Sequence, residues 1–147
     1  MTTPAGDRPE ESPQNGPKKC KFDGLTPVLN VQNLARSLDY YTQVLGFQKD
    51  WDWGDPPGFA CVSRDGVCIF FCEDGQGQAG TWMSIFVDDV DALYAEYQAS
   101  GAIIRQAPTN FEWGMREMNI EDPDGHRLRI GSESTEPSEN TVICEER

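Results

Sequence analysis

Histidine is almost absent from this chain, and positive charge and long apolar runs are scarce as well. The 147 residues include one histidine, and 12 basic residues stand against 25 acidic ones, which gives a formal net charge of −13. Such a chain repels nucleic acid and anionic lipid and attracts cations. No apolar run reaches the roughly 18 residues that a membrane span requires, and the N-terminus lacks the charged-then-apolar pattern of a signal peptide.

Cysteine is present, but its number and spacing do not indicate a disulfide framework. The five cysteines are an odd number at irregular intervals. Cys61, Cys68 and Cys72 fall in or beside apolar, strand-like sequence, where cysteine usually acts as a small buried hydrophobe. Cys20 and Cys144 fall near the ends of the chain. We therefore expect a reduced, cytoplasmic protein.

The length and composition indicate one folded domain between two tails. A chain of 147 residues is long enough to bury a core without help from a metal or disulfides. Residues 1–22 are rich in Pro, Gly, Glu and Lys and predict a disordered tail. Residues 133–147 predict a second, acidic tail. The domain is thus expected at 23–132.

Within the domain, one pattern occurs twice. Asn33 is a good N-cap for a helix that ends before Gly46, and a second helical stretch ends at Gly101. Each is followed by a turn of similar chemistry, Arg64-Asp65-Gly66 or Pro123-Asp124-Gly125, with apolar residues after it. The halves, about 25–74 and 80–132, each predict the order βαβββ, and together an α+β fold with an open, cupped mixed sheet. The predicted strands are 26–31, 47–53, 58–63, 67–73, 81–87, 103–106, 114–121 and 126–131, and the helices are 34–45 and 89–99.

Aromatic residues are the strongest candidates for ligand contacts in the first half. In an extended strand Trp51 and Trp53 share one face, and the neighbouring carboxylates of Asp50, Asp52 and Asp55 lie on or near the other. Aromatic faces stack on flat rings and attract cations, at about 0.5–2 kcal/mol per contact. The alternative is that one tryptophan packs in the core and the acids are simply solvated.

In the second half, Trp82 and Phe86 share a strand face, which lines either the cleft or the core. We predict a core position for Trp82 and a ligand contact for Trp113, which lies in a loop-to-strand transition. Arg116 and Glu117 point to opposite faces of their strand. Glu117 is our candidate for a carboxylate in the cleft, and the alternative is an ion pair at the rim.

The sequence offers no catalytic pair. Ser63, Ser84 and the cysteines have no histidine near them in the sequence to act as a general base. The single histidine, His126, directly follows a turn glycine, and we predict a turn or surface residue rather than a metal ligand. The glycine-rich run 75–80 lacks the lysine of a phosphate-binding loop. We therefore predict no catalytic residue.

Two segments together resemble the glyoxalase, bleomycin-resistance and extradiol-dioxygenase superfamily, whose fold is called the vicinal oxygen chelate fold. They are the helix entry 33–41 followed by Leu45-Gly46-Phe47, and Asp122-Pro123-Asp124-Gly125 before the last strand. The resemblance covers about residues 25–133. Metal enzymes of this superfamily place His, Gln or Glu at four strand positions, and the resemblance implies which positions of this chain correspond to them. Those positions here are Thr26, Phe70, Trp82 and Arg129, so we expect no metal and no cofactor.

Further stretches, among them 27–29, 59–60, 91–96 and 113–117, are similar to the bleomycin-binding resistance proteins of this superfamily. That resemblance implies a homodimer with two clefts built from both subunits, and an N-terminal strand that swaps between subunits near Pro27. It also implies that Trp51, Phe59, Phe86 and Trp113 are the binding aromatics. With Trp53 and Glu117, these residues complete the predicted ligand site.

We therefore predict a metal-free protein that sequesters a flat, cationic small molecule in an acidic, aromatic cleft at a dimer interface. The first alternative is a lyase or dioxygenase of the same superfamily with an atypical or absent metal site. The second alternative is the binding of an unrelated metabolite, because a shared fold does not fix a function.

Overall fold

The computed structural model describes residues 18–134, which form two similar halves. Each half has a strand, a helical segment and three further strands, so the predicted repeat of βαβββ is confirmed. The first half contains Val28–Val31 (β1), Leu34–Asp39 (α1), a π-helical turn Tyr40–Val44, Gln48–Gly54 (β2), Pro57–Arg64 (β3) and Val67–Glu73 (β4). The second contains Trp82–Phe86 (β5), Val90–Ser100 (α2), Ile103–Asn110 (β6), Met115–Glu121 (β7) and Arg127–Glu133 (β8).

The strands form two open, mixed, four-stranded sheets. Their orders are β1-β4-β3-β2 and β5-β8-β7-β6. In each sheet the first strand runs parallel to its neighbour, and the other pairs are antiparallel. Strand β1 pairs with β4 of its own chain, with Val28 opposite Phe70. Strand exchange with a second subunit, and the dimer itself, remain predictions.

The helix predicted at 34–45 is divided into two kinds of helix. Asn33 caps α1 by accepting a hydrogen bond from the amide of Arg36 at 3.0 Å. From Tyr40 the helix widens, and the amide of Leu45 donates to the Tyr40 carbonyl at 3.0 Å, five residues back. Within this turn the hydroxyl of Tyr40 donates to the carbonyl of Glu121 at 2.6 Å, in the other half. The end of the helix is therefore fixed by tertiary contacts that the apolar pattern does not contain.

One apolar core joins the two halves. It lies on the helix-facing sides of both sheets, where alternate strand residues are buried. Burial of these side chains is the main source of stability in a domain of this size. The largest fully buried side chains from the two halves are Leu29, Val31, Tyr41, Leu45, Ile69, Phe71, Tyr97, Met118, Ile120, Leu128 and Ile130.

Each of the two repeated turns contacts the helix of the opposite half. In the first half, Arg64 Nη1 donates to the carbonyl of Leu45 at 2.8 Å and pairs with Glu96 on α2 at 2.6 Å. In the second half, Asp124 accepts hydrogen bonds from the Gln32 amide at 2.9 Å and the Ser37 hydroxyl at 3.1 Å, at the start of α1. These reciprocal contacts fix how the two halves pack.

The prediction that His126 is a turn or surface residue is wrong, because its side chain is fully buried. Its Nδ1 accepts a hydrogen bond from the amide of Thr81 at 3.0 Å, and its Nε2 lies 2.6 Å from the carbonyl oxygen of Asn30. Since Nδ1 accepts, the proton is assigned to Nε2, which donates to that carbonyl. Both ring nitrogens are thus used in joining β1, the start of β5 and the turn before β8.

Neither helix among residues 18–134 is long and apolar enough to cross a membrane. The two predicted tails, 1–22 and 133–147, lie largely outside the described residues, and they remain predictions together with the domain boundaries.

Candidate functional site

The side of each sheet that faces away from the core carries exposed aromatic rings. Five of them expose between 40 and 76 % of their surface, namely Trp51, Trp53, Trp82, Phe86 and Trp113. Single exposed rings are ordinary, but a concentrated set marks an interaction surface. We call the side of the first sheet that carries Trp51 the first face. The second face is the side of the second sheet that carries Trp82, together with the adjoining loop around Trp113.

Three rings of the first face form a cluster. The ring centroid of Trp51 lies 5.8 Å from that of Phe59, nearly parallel to it at 14°, and 5.3 Å from that of Phe70. The Phe59 and Phe70 centroids are 5.6 Å apart. Trp53, the most exposed of the tryptophans, lies opposite Phe59 in the strand register. Such a surface binds flat rings by stacking, at about 0.5–1.5 kcal/mol per pair beyond the buried area.

A β-bulge changes the predicted position of Asp50. Lys49 pairs with Val62 and Trp51 pairs with Cys61, so Asp50 is the extra residue between them. The strand pattern predicts its carboxylate on or near the side away from Trp51, and that prediction is wrong. Its Oδ2 lies 3.6 Å from Cys61 Sγ, on the first face. Hydrogen bonds, above all from Ser63, hold the pKa of Asp50 below its usual range, so this carboxylate is ionised at neutral pH.

Two thiols lie beside that carboxylate. The Sγ atoms of Cys61 on β3 and Cys68 on β4 are 3.0 Å apart, and both cysteines are free. Burial raises the pKa of Cys61 to about 12, and contacts with Cys68 and Asp50 act in the same direction. Cys61 is therefore a protonated thiol at neutral pH, and a thiolate nucleophile is not expected here.

On the second face Glu117 is held by two partners and is only 8 % exposed. Trp113 Nε1 donates to its carboxylate at 3.0 Å, and Arg129 donates through Nε at 2.8 Å and Nη2 at 3.0 Å. Gly131, across the ladder, makes room for it, since a Cβ there would lie 2.8 Å from Glu117 Cγ. Glu117 is thus an ordered acceptor whose charge is already compensated by Arg129.

The rings of the second face lie against guanidinium groups. Trp113 stacks on Phe111 with centroids 4.5 Å apart, and the Arg129 guanidinium lies 5.6 Å from the Trp113 centroid. The Arg127 guanidinium lies 5.6 Å from the Trp82 centroid. The prediction that Trp82 belongs to the core is wrong, because more than half of it is exposed on the edge strand β5. This face offers stacking surfaces and oriented hydrogen-bonding groups in close alternation.

Two grooves on the surface lie between residues of the two halves, and Phe86 lines both of them. One, of about 510 Å³, is lined by Trp82 and Phe86 on β5 and by Cys68 and Ile69 on β4. The other, of about 460 Å³, runs past Arg64 and Tyr97. Both volumes are in the range of small-molecule sites.

The structure does not bring the six predicted ligand residues together within one chain. Trp51, Trp53 and Phe59 lie on the first face, and Phe86, Trp113 and Glu117 belong to the second. Among residues 18–134, no ring contact or hydrogen bond joins one group of three to the other.

Besides Asp50 and the two thiols, four ring or guanidinium side chains contribute to these faces and were not predicted as ligand contacts. They are Phe70, Phe111, Arg127 and Arg129. The period-2 alternation of Arg127 and Arg129 along β8, parallel to Trp82 and Ser84 on β5, is a signal that would have identified the two arginines.

The four positions that would hold a metal in the related enzymes do not fit one here. Phe70 is part of the ring cluster, and Trp82 lies beside Arg127. Arg129 is bound to Glu117, and Thr26 precedes β1. Hydrocarbon rings and a guanidinium are not ligands for a divalent cation.

Comparison with known proteins gives one family match and many similar folds. Residues 24–130 match the family model described as Glyoxalase/Bleomycin resistance protein/Dioxygenase superfamily. No curated protein matches the sequence.

Among solved structures, TioX from Micromonospora sp. ML1 is similar with a TM-score of 0.69 and 20 % identity, over 77 % of this chain and all of that one. A bleomycin-binding protein complexed with bleomycin is similar with a TM-score of 0.65 and 22 % identity, over 77 % of this chain and 100 % of that one. A bleomycin resistance determinant encoded on the transposon Tn5 has a TM-score of 0.66 and 22 % identity, over 77 % and 99 % of the two chains. At these identities the similarity concerns the fold.

Proposed function

The chain belongs to the Glyoxalase/Bleomycin resistance protein/Dioxygenase superfamily, and from that premise we propose that it binds and sequesters a small molecule without transforming it. The observation that carries the proposal is the set of exposed rings on the two outer faces. The absence of ligand chemistry at Thr26, Phe70, Trp82 and Arg129 supports binding over the lyase or dioxygenase alternative, because those enzymes need a metal at these positions.

The ligand in this proposal is flat and cationic. Flatness follows from the stacking surfaces of Trp51 and Trp113, each of which leaves about two-fifths of its area exposed. Positive charge follows from the formal net charge of −13, which attracts cations over long range. Since Glu117 is already paired with Arg129, the attraction comes from the overall field and the ionised Asp50 more than from Glu117.

A second copy of the chain completes the site in this proposal. Although Phe86 and Cys68 line one groove, the two predicted groups of three ligand residues do not meet within one chain. A homodimer that places the first face of one subunit opposite the second face of its partner would form two clefts from the same residues. We also propose a cytoplasmic location, in keeping with the free cysteines Cys61 and Cys68.

Bleomycin is the first probe to use, because a structurally similar protein was solved in complex with it. The experiment follows tryptophan fluorescence as bleomycin is added to metal-depleted protein, and it recovers the drug afterwards for mass spectrometry. Saturable quenching with chemically unchanged drug supports sequestration. A modified product would contradict it and favour the enzyme alternative. Sedimentation velocity on the same sample tests the dimer, and a monomer that binds equally well would contradict the shared cleft.

A further inference from the structure

Three potential metal-ligating groups converge on the first face, apart from the positions of the superfamily metal. The side-chain ligand atoms of Asp50, Cys61 and Cys68 all lie within 4.8 Å of one another. The Sγ of Cys61 is 3.0 Å from that of Cys68 and 3.6 Å from Asp50 Oδ2. We propose that these three residues form a binding site for a thiophilic divalent cation such as Zn²⁺ or Cd²⁺, which displaces the protons of the two thiols to solvent as it binds.

The backbone explains why the three groups meet. Cys61 and Cys68 lie on adjacent antiparallel strands and are offset by one diagonal step, with Ser63 directly opposite Cys68. Side chains in that relation on one face are within reach of each other. The bulge in β2 then turns Asp50 towards them. Each donor therefore belongs to a different strand of one sheet, and the ladder fixes their separation.

The donor set selects the kind of cation. Two sulfurs and one carboxylate oxygen suit zinc and softer ions, whereas magnesium and calcium prefer oxygen ligands alone. A tetrahedral zinc with sulfur at about 2.3 Å would set the sulfurs about 3.8 Å apart. The present 3.0 Å therefore has to widen by about 0.8 Å. Cys68 is only partly buried, so a small rotation of its side chain can provide that distance.

The three residues do not fill the coordination shell of a tetrahedral ion. Three protein ligands leave one tetrahedral position for water or for a donor atom of a bound molecule. Cys61 lies between Trp51 and Phe70 in the strand register, so an ion here would adjoin the ring cluster of the first face. This site revises our expectation from the sequence that the protein binds no metal. That expectation concerned the four superfamily positions, which draw on both halves, whereas all three donors here belong to the first sheet.

Cadmium is the probe for the test, because cadmium–thiolate coordination gives an ultraviolet charge-transfer band. The full chain is freed of metal, kept reduced with a reductant that contains no thiol, and titrated with Cd²⁺. We expect the band to saturate at one cadmium per chain and zinc to compete for the same site. Cys68→Ser should abolish the band, and Asp50→Asn should weaken binding at least tenfold. Both residues are less buried than Cys61, so their replacement spares the core.

Cys72→Ser is the matched control, because Cys72 lies on β4 four residues after Cys68 and outside the group. It should leave affinity within twofold of wild type. The proposal is overturned if reduced protein gives no cadmium band, or if Cys72→Ser abolishes the band while Cys68→Ser keeps it. It is also overturned if Cys61 and Cys68 form a disulfide in air and the reduced protein binds no cadmium, since the pair would then be a redox pair only.

Discussion

The two halves share one order of strands, helix and turn, yet their equivalent turns hold the molecule together in different ways. In the first half, Arg64 reaches Glu96 at the surface, where the side chains are 30 % and 47 % exposed. In the second half, Asp122 is buried and accepts hydrogen bonds from the Tyr41 hydroxyl at 2.8 Å and from the amides of Asp124 and His126 at 2.9 Å. The two turns therefore have the same place in the topology but are expected to contribute differently to the stability of the fold.

The outer faces differ in the same manner. Both carry exposed rings, but on different elements of the repeat: β2, β3 and β4 in the first half, and β5 and the loop before β7 in the second. The polar groups among the rings also differ. The first face has thiols and the ionised carboxylate of Asp50, whereas the second has the Glu117–Arg129 pair. The two halves thus both present stacking surfaces, but they place the rings on different strands and set different polar groups beside them.

The largest expected effect is on stability, at the buried turn. Asp122→Ala should lower the free energy of unfolding by about 2–4 kcal/mol, because a buried hydroxyl and two amides lose their acceptor. Urea unfolding measures the loss. A variant for comparison is Asp65→Asn in the exposed turn of the first half, where asparagine tolerates the positive φ of 50°. Equal losses for the two variants would contradict the contrast between the turns.

Trp113→Ala tests the second face. It should weaken ligand binding more than tenfold, a change of about 1.4 kcal/mol or more, while the melting temperature stays near that of wild type. Trp113→Phe should have an affinity between those of wild type and Trp113→Ala, since it keeps a ring over Phe111 but loses the hydrogen bond to Glu117. Trp53→Ala reports on the first face in the same assay. A large fall in melting temperature with unchanged affinity would show that Trp113 is a packing residue.

Arg64→Met should have a smaller effect, below about 1 kcal/mol, because partly exposed ion pairs contribute little. The hydrogen bond from Arg64 lowers the pKa of Glu96, so this pair stabilises the fold above the ordinary pKa of glutamate. That contribution is lost as the pH falls through the lowered pKa. We therefore expect the difference in the free energy of unfolding between wild type and Arg64→Met to become smaller as the pH falls through the acid range, as measured by denaturant unfolding. A gap independent of pH would point to lost packing instead.

The smallest expected effect is a pH trend of opposite sign at Asp122. Burial raises the pKa of Asp122 above its ordinary value. Its stabilising contribution is then complete below the ordinary pKa of aspartate and is lost as the pH rises through the raised pKa. The stability of wild type relative to Asp122→Asn should accordingly decline with rising pH in the acid range. If the stability of wild type relative to Asp122→Asn instead grew with pH, the pKa of Asp122 would not be raised in the folded protein.

The fold was predictable because its signals are local and repeated. The cap at Asn33, the glycine after each helix and the turn chemistry of 64–66 and 123–125 each specify an element without reference to distant residues. The π-helical turn at Tyr40 was not predicted, since its contacts include a hydrogen bond to Glu121 in the other half, and such distant contacts leave no local signal.

The site was less predictable, since it depends on register and on the path of edge strands. One extra residue in β2 moved Asp50 to the face of the tryptophans, and no local pattern marks such a bulge. His126 follows a turn, which favours exposure, but hydrogen bonds to Thr81 and Asn30 satisfy its ring in the interior. A large aromatic side chain in a strand, such as Trp82, is often part of the core, and only the strand order shows that Trp82 lies on an edge strand.

Calorimetric titration of metal-depleted protein with bleomycin, at low and at high salt, tests the proposed sequestering function most directly. We expect saturation at one ligand per chain with weaker binding at high salt, because an acidic protein attracts a cationic ligand through a field that salt screens. The absence of both heat and a thermal shift would contradict bleomycin as a ligand. Binding unaffected by salt would contradict the electrostatic part of the proposal.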